Sequence, residues 1–377
     1  MKGYKTYKFR LYPSEKQIIL IHKTFGCVRL VYNYYLAKQQ EEGITKAFTN
    51  CNNLKYLQKE KPFLKEVDSC ALRCAIFNLE DAYNNFFAKR ANYPVFKNKR
   101  AYQSYRTNCI VSSYKNNTYS NIKIDLLNKK IKLPKLGLVN IRGYRNQKEI
   151  TGKIINATII REVTGKYYVS VVVEEDTLFK DKVNPGKAIG IDLGIKDLII
   201  TSDYEKYDNQ KVITKYEKRL KRLQRELSRR EKGSENYNKT KLKIAKLYAK
   251  IKNTRKHYLN KIVNKIVLEN DIIVTENLNV QQMSKNKKLA KYILDASFYK
   301  LSSLLEWKSK LQGKYYYKVD TYYPSSQICS YCEQKEPKLK DLSIREYKCT
   351  NCGRTLDRDI NASINILFEG LKLHYQR

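Results

Sequence analysis

The stretch from Cys349 to Asn365 reads C-T-N-C-G-R-T-L-D-R-D-I-N-A-S-I-N, and sixteen residues upstream of it stands C-S-Y-C, from Cys329 to Cys332. A C-x-x-C knuckle turns tightly enough to aim two thiolates at one ion, and two knuckles at this spacing supply the four sulfurs of a tetrahedral site. Cys329, Cys332, Cys349 and Cys352 therefore read as a zinc ribbon holding one structural Zn²⁺, with Gly353 permitting the positive-φ turn such knuckles favour. Directly after the ribbon, D-R-D-I-N-A-S-I-N opens a helix. Asp359 immediately precedes the helical run and is the better candidate ligand, while Asp357 suits an N-cap. Arg358 between them has two readings, a clamp on a scissile phosphate or an ordinary surface ion pair.

Two further acids sit at the ends of buried strands. Asp192 closes the apolar run A-I-G-I, and Glu276 closes I-I-V-T. Singly, each is an acid at a strand end, which is common. The order strand-Asp, helices, strand-Glu, ribbon, helix-Asp is more specific, because an RNase H-like core gathers its metal ligands that way. Carboxylates so placed can share two Mg²⁺ ions, which activate water and stabilise the leaving 3′ oxygen in phosphodiester hydrolysis. Gly190 and Gly194 flank Asp192 and are expected to let backbone approach a phosphate.

Charge points to the substrate class. The chain has 377 residues, with Lys+Arg 75 against Asp+Glu 37 and a formal charge of +38. Such an excess repels itself unless a polyanion is bound, and nucleic acid is the obvious one. Codon bias in an AT-rich genome accounts for the 32 tyrosines but not for the two-to-one excess of cations. No segment reads as a signal peptide or membrane span; the apolar stretch Ile18 to Leu36 is broken by His22, Lys23, Arg29 and Asn33. The five remaining cysteines form no paired framework, with Cys70 and Cys74 expected to be small buried residues of a helix, so a reducing cytoplasm suits all nine.

Periodicity organises the rest as a multidomain α+β chain. Residues 1–12 alternate basic and aromatic like a half-exposed strand, and Ser14 with Gln17 caps a helix to about Lys38. A second helix runs from about Val67 to Lys89, and the segment to about 110 reads as helical. Period-two strands fill 112–175, with a turn at Thr164-Gly165-Lys166, and Asn184-Pro185-Gly186 marks a break. Residues 214–268 read as a basic helical hairpin, its leucine and isoleucine seams inside. Arg225, Arg229 and Arg230 on it are candidate nucleic-acid contacts, against the plainer reading of a solvated helical pair.

Taken together, these motifs resemble those of the TnpB (OrfB) family of insertion-sequence proteins. Y-K-F-R-L-Y-P-S-E-K-Q (7–17), F-G-C-V-R-L-V-Y-N (25–33) and P-V-F-K-N-K (94–99) resemble its N-terminal part. I-G-I-D-L-G (189–194), V-T-E-N-L (274–278) and L-D-R-D-I-N-A-S-I-N (356–365) resemble its three split RuvC motifs, and the cysteine knuckles resemble its zinc ribbon. Pro324 stands where the family usually has Thr, and Phe298 and Trp307 where Trp and Tyr are common, changes that bear on how 279–312 moves over the site.

The resemblance implies a wedge-like β-barrel from 1–12 and 112–183, a helical recognition lobe at 13–111, and a RuvC-like nuclease domain at 184–377 with the ribbon inserted at 324–356. It implies catalytic Asp192, Glu276 and Asp359 binding two Mg²⁺, a noncoding guide RNA, and double-stranded target DNA beside a short motif. It also implies a nucleoid-associated prokaryotic setting and a separate transposase acting with the element. Two alternatives remain: a nuclease-inactive RNA-guided repressor, which the three retained acids oppose, and a stand-alone transposase, whose two-histidine metal motif has no counterpart in the scattered His22, His257 and His374.

Overall fold

A computed structural model of the chain describes residues 3–100, 102–114, 117–144, 149–176, 179–287, 289–336 and 344–376. Internal contacts divide the chain into two units, Met1–Leu178 and Phe179–Arg377.

The first unit opens with β1 (Gly3–Tyr12), in which Tyr7, Phe9 and Leu11 alternate into the core. Pro13 ends it, and the expected capping box forms: the Gln17 amide donates to Ser14 Oγ while the Ser14 amide donates to Gln17 Oε1. Helix α1 (Glu15–Glu42) follows, running past Lys38. Helix α2 (Ala47–Glu60) lies within the segment read as helical, though no periodicity singles it out there. Its interior holds Thr49, Asn50, Asn52 and Asn53, poor helix formers, and its cap Lys46 makes no side-chain bond; burial of Ala47, Leu54 and Leu57 holds it instead. Helix α3 (Ser69–Phe87) starts at Asp68, whose carboxylate accepts from the Cys70 amide.

Strand β2 (Gln103–Asn108) lies inside the segment read as helical. Its Tyr105 and Thr107 are buried and the residues between are not, a period of two that the flanking basic residues obscure. The half-buried Cys70 accepts from the Asn108 amide and Cys74 donates to the Asn108 side chain, so the two thiols tie α3 to β2. Strands β3 (Val111–Tyr114) and β4 (Asn117–Ser120) pair only with each other. Then come β5 (Lys123–Asp125), β6 (Lys130–Leu133), β7 (Gly137–Arg142), β8 (Lys153–Arg161) and β9 (Tyr167–Glu175). The antiparallel sheet runs β2-β8-β9-β1-β7-β6-β5, and Gly165, at φ +78°, turns β8 into β9. Its inner face and the apolar stripes of α1, α2 and α3 share one core.

The second unit is built on β10 (Ala188–Asp192), β11 (Asp197–Thr201), β12 (Lys206–Asp208), β13 (Ile272–Thr275) and β14 (Tyr315–Lys318), in the order β12-β11-β10-β13-β14. The hairpin read from the sequence is α4 (Val212–Ser228) and α5 (Glu235–Glu269), joined through Gly233 and packed through Val212, Leu223, Leu247 and Ile251. Helices α6 (Val280–Met283), α7 (Ala290–Ala296) and α8 (Phe298–Leu311) lead to β14, and β15 (Glu346–Lys348) and β16 (Thr355–Asp357) of the ribbon lead to α9 (Arg358–Tyr375). β10, β13 and β14 are parallel, and β10 and β13 are covered on both faces, which is why those two read as unbroken apolar runs. Ile189, Ile191 and Ile273 face α5 and α8, whereas Ile272 and Val274 face α9.

Gly190 faces α9 as well. A Cβ there would lie 2.1 Å from the Ser363 carbonyl and 2.7 Å from Leu367, and one on Gly370 would lie 2.3 Å from Val274. The expected role of Gly190 in approaching a phosphate is thereby corrected: it is small so that α9 can lie directly on the strand. Gly194 likewise closes on its own loop, its Cβ position 2.6 Å from the Asp197 carbonyl. Gly190→Ala should destabilise the chain by at least ~1–3 kcal/mol, because backbone rather than a flexible side chain blocks it. Gly26→Ala, mid-helix with open space around it, should stabilise by roughly 0.5–1 kcal/mol. Chemical denaturation of both variants checks the contrast.

Candidate metal centres

Parallel pairing delivers the first two acids. Ile191 pairs with Thr275 across β10 and β13, so Asp192 and Glu276, one residue further, emerge side by side at the carboxyl ends of adjacent strands. The two carboxyl groups are hydrogen-bonded to each other. Burial, then the charges of Glu276 and Asp359, hold the Asp192 carboxyl well above the usual carboxylate range. Burial also raises Glu276, offset in part by hydrogen bonds from Asp192 and from Ser325 Oγ at 3.2 Å. Burial thus disfavours the charged form of both strand acids, which a hydrogen bond joins.

The third acid comes from the start of α9. Asp357 is the N-cap: its Oδ1 accepts from the amides of Asp359 at 3.0 Å and Ile360 at 3.2 Å. Burial pushes the Asp357 carboxyl up, but the ion pair with Lys206 of β12 and these amide bonds outweigh it and hold it below its ordinary value. With Asp357 so occupied, Asp359 is free to face Asp192 and Glu276, to which it contributes negative charge. Its counter-cation is the exposed Arg345, 3.7 Å away. Arg358 is buried, its guanidinium donating to the Ile344 carbonyl and to Ser326 Oγ. Arg225, Arg229 and Arg230 share one shallow hollow along and just past the end of α4 with Lys218, Lys221, Arg222 and Glu226, and Arg230 pairs with Glu226 at 2.5 Å.

The cysteines form the tightest cluster. Among the described residues, only Cys329, Cys332, Cys349 and Cys352 bring ligand atoms all within 4.8 Å of one another. Cys329 and Cys352 lie 3.7 Å apart and Cys332 and Cys349 3.5 Å, close to the ~3.8 Å edge of a tetrahedron with Zn–S of about 2.3 Å. The chemistry of four converging thiols fits a zinc ion with no open position.

Two asparagines that the sequence reading passed over fasten this ribbon to α9. Asn361 Nδ2 donates to the Ile328 carbonyl and its Oδ1 accepts from the Ser330 amide; Asn365 Nδ2 donates to the carbonyls of Ser325 and Ile328. Both are buried. Their signal was a pair of amides at i, i+4 on the apolar face of a helix. Ser325, which steadies Glu276, and Lys206, which steadies Asp357, had no signal, because their partners are 49 and 151 residues away.

Three family models match the chain: one described as "Probable transposase" over residues 168–287, one as "Cas12f1-like, TNB domain" over 298–366, and one as "Helix-turn-helix domain" over 1–42. A Streptomyces pristinaespiralis protein provisionally named an RNA-guided DNA endonuclease is 35% identical over 97% of this chain and 89% of its own length. A TnpB-like protein of Methanocaldococcus jannaschii, MJ0751, is 29% identical over 52% of this chain and 76% of its own. The chain belongs to the TnpB (OrfB) family. InsQ of Escherichia coli K12, with the same provisional name as the Streptomyces protein, is 32% identical over 98% of this chain and 93% of its own. The fold is similar to a Cas12f1 protein solved by cryo-EM with sgRNA and target DNA, at TM-score 0.58 and 13% identity over 97% of this chain and 98% of that one. It is also similar to the mini-RNA-guided endonuclease Cas-phi3, at TM-score 0.52 and 10% identity over 98% of this chain and 92% of that one. Across the described residues 3–42 the structure has one strand and one helix, β1 and α1, rather than a helix-turn-helix.

Zinc should be found at one ion per chain. Cys349→Ser should lose it and lower the melting temperature, and should also release the start of α9, ten residues on. Metal analysis of a folded preparation checks this, and a folded, zinc-free parent would contradict it.

Proposed function

We propose that the chain is an RNA-guided DNA endonuclease of an insertion sequence, cleaving target DNA by metal-dependent phosphodiester hydrolysis at Asp192, Glu276 and Asp359. The observation that carries this reading is the meeting of the buried Asp192 and Glu276 carboxyls at the ends of β10 and β13, with the charge of Asp359 from α9 acting on both. It stands in a chain 35% identical, nearly end to end, to a relative provisionally named for that activity. Three carboxylates so confined repel one another, and their donor chemistry suits hard divalent cations. Two Mg²⁺ bound there would supply the water nucleophile and stabilise the leaving 3′ oxygen.

The chain's own residues prepare that step. Asp192 and Glu276, both raised by burial, would be deprotonated on holding a cation and so become full oxygen donors. Ser325 keeps Glu276 turned toward Asp192, and the Asp357 cap fixes the backbone beneath Asp359. We assign the second unit as the RuvC-like nuclease domain from 184 to 377, with the zinc ribbon inserted at 324–356. The antiparallel sheet is assigned as the wedge-like barrel, of which β2 extends the share back to Gln103, and α1 to α3 as the recognition lobe. Partners are a noncoding guide RNA and double-stranded DNA beside a short motif, with a separate transposase serving the same element. Guide pairing supplies sequence specificity while the protein reads shape and backbone. No helix among the described residues is long and apolar enough to cross a membrane, and the nucleoid is the expected place of action.

Asp192→Ala, Glu276→Ala and Asp359→Ala should each lower cleavage by several orders of magnitude and leave RNA binding nearly intact. Asp357→Ala should instead cost about 1 kcal/mol of stability through the lost cap. Cleavage by the Asp359 variant at the parent rate, with loss in the Asp357 variant, would reverse the ligand assignment. On the hairpin, replacing Arg225, Arg229 and Arg230 with Gln should lower the salt slope of nucleic-acid binding by roughly one unit per phosphate contact. An unchanged slope would leave α4 as scaffold.

A further inference from the structure

A cavity of about 480 Å³ in the first unit gathers cations that no carboxylate neutralises. Arg29 of α1, Lys97 of the segment after α3 and Arg106 of β2 all line it, and no Asp or Glu does. The Lys97 backbone is clamped on both sides by Asn33, its amide donating to Oδ1 at 2.8 Å and its carbonyl accepting from Nδ2 at 2.9 Å. Its ammonium rests 3.7 Å from the centroid of the Tyr32 ring, and burial lowers its pKa. Arg106 Nε is buried without a partner, and Arg29 makes only a long 3.5 Å contact to Gln103.

Three cations gathered around one space with no acid in its lining repel one another. An anion entering that space relieves the repulsion. The remaining lining says which. Tyr102 is 69% exposed and offers a ring face, and the amide of Asn78 offers a donor and an acceptor of the kind that read a base edge. Phosphate-sized positive charge beside an aromatic platform is the pattern that binds single-stranded nucleic acid. The volume takes one nucleotide and excludes a duplex. Folded RNA presents such unpaired nucleotides in its loops and bulges, whereas target DNA arrives paired.

We propose that this cavity seats one unpaired nucleotide of the guide RNA, its phosphate among Arg29, Lys97 and Arg106 and its base on Tyr102. The inference rests on the RNA-guided reading above and names where the first unit holds its RNA.

The test titrates the full chain with labelled single-stranded oligouridylate and with oligothymidylate of equal length, across a salt series. Arg29→Gln/Lys97→Gln should bind the RNA roughly tenfold more weakly, with a salt slope lower by about 0.7, one single-strand phosphate. Tyr102→Ala, which alters an exposed ring and keeps every cation, should lose about tenfold in affinity with the slope unchanged. It keeps the test decisive should the double variant fold poorly. Parent-like RNA affinity in both variants, or loss confined to oligothymidylate, overturns the inference. A parent chain that binds no RNA overturns the RNA-guided reading along with it.

Discussion

Mutual repulsion between acids in a desolvated corner is the constraint on which the second unit depends. Asp192 and Glu276 sit one residue beyond a paired Ile191 and Thr275, so strand register alone forces them together. Neither can leave without shifting every apolar residue of its strand to the wrong face. Burial and this repulsion raise both carboxyls, and Asp359 adds a further negative charge. Packing alone gives no reason for acids here, since burying them costs free energy; the proposed binding of divalent cations would supply one.

The rest of the unit fixes α9 against that corner. Gly190 and Gly370 remove side chains from both sides of the contact, letting the helix lie on β10 and β13. Asp357 caps the helix and is itself anchored by Lys206, which reaches across from β12. The ribbon grips the same helix through Asn361 and Asn365. A zinc ion among the four thiols would therefore act at a distance, by stiffening the knuckle whose carbonyls those asparagines hold. The ribbon and the acid cluster are one mechanical unit joined by a single turn of helix.

Much of this was written locally in the sequence. The C-x-x-C knuckles, the Ser14–Gln17 cap, the buried strands and the helical hairpin each depend on residues near one another, and each formed where the pattern put it. What escaped the reading is held by distant partners. Helix α2 exists because Leu54 and Leu57 find a core, against its own asparagines. Strand β2 is set by pairing with β8, about 50 residues on, Tyr105 opposite Ile159. The Gly190 reading failed for the same reason: its neighbour Ser363 is 173 residues away, and a glycine beside an acid looks the same whether it makes room for a phosphate or for a helix. The choice between Asp357 and Asp359 was likewise left to the amide geometry at the helix start.

The central claim is that Asp192, Glu276 and Asp359 exchange a proton for divalent cations. Titration calorimetry with Mn²⁺ in buffers of different ionisation enthalpy measures both the ion and the proton. The account predicts binding that tightens as pH rises, because both strand acids are raised in the metal-free chain, with net proton release that Asp192→Ala abolishes. Binding of equal affinity and proton count in the parent and in the Asp192 variant would contradict it.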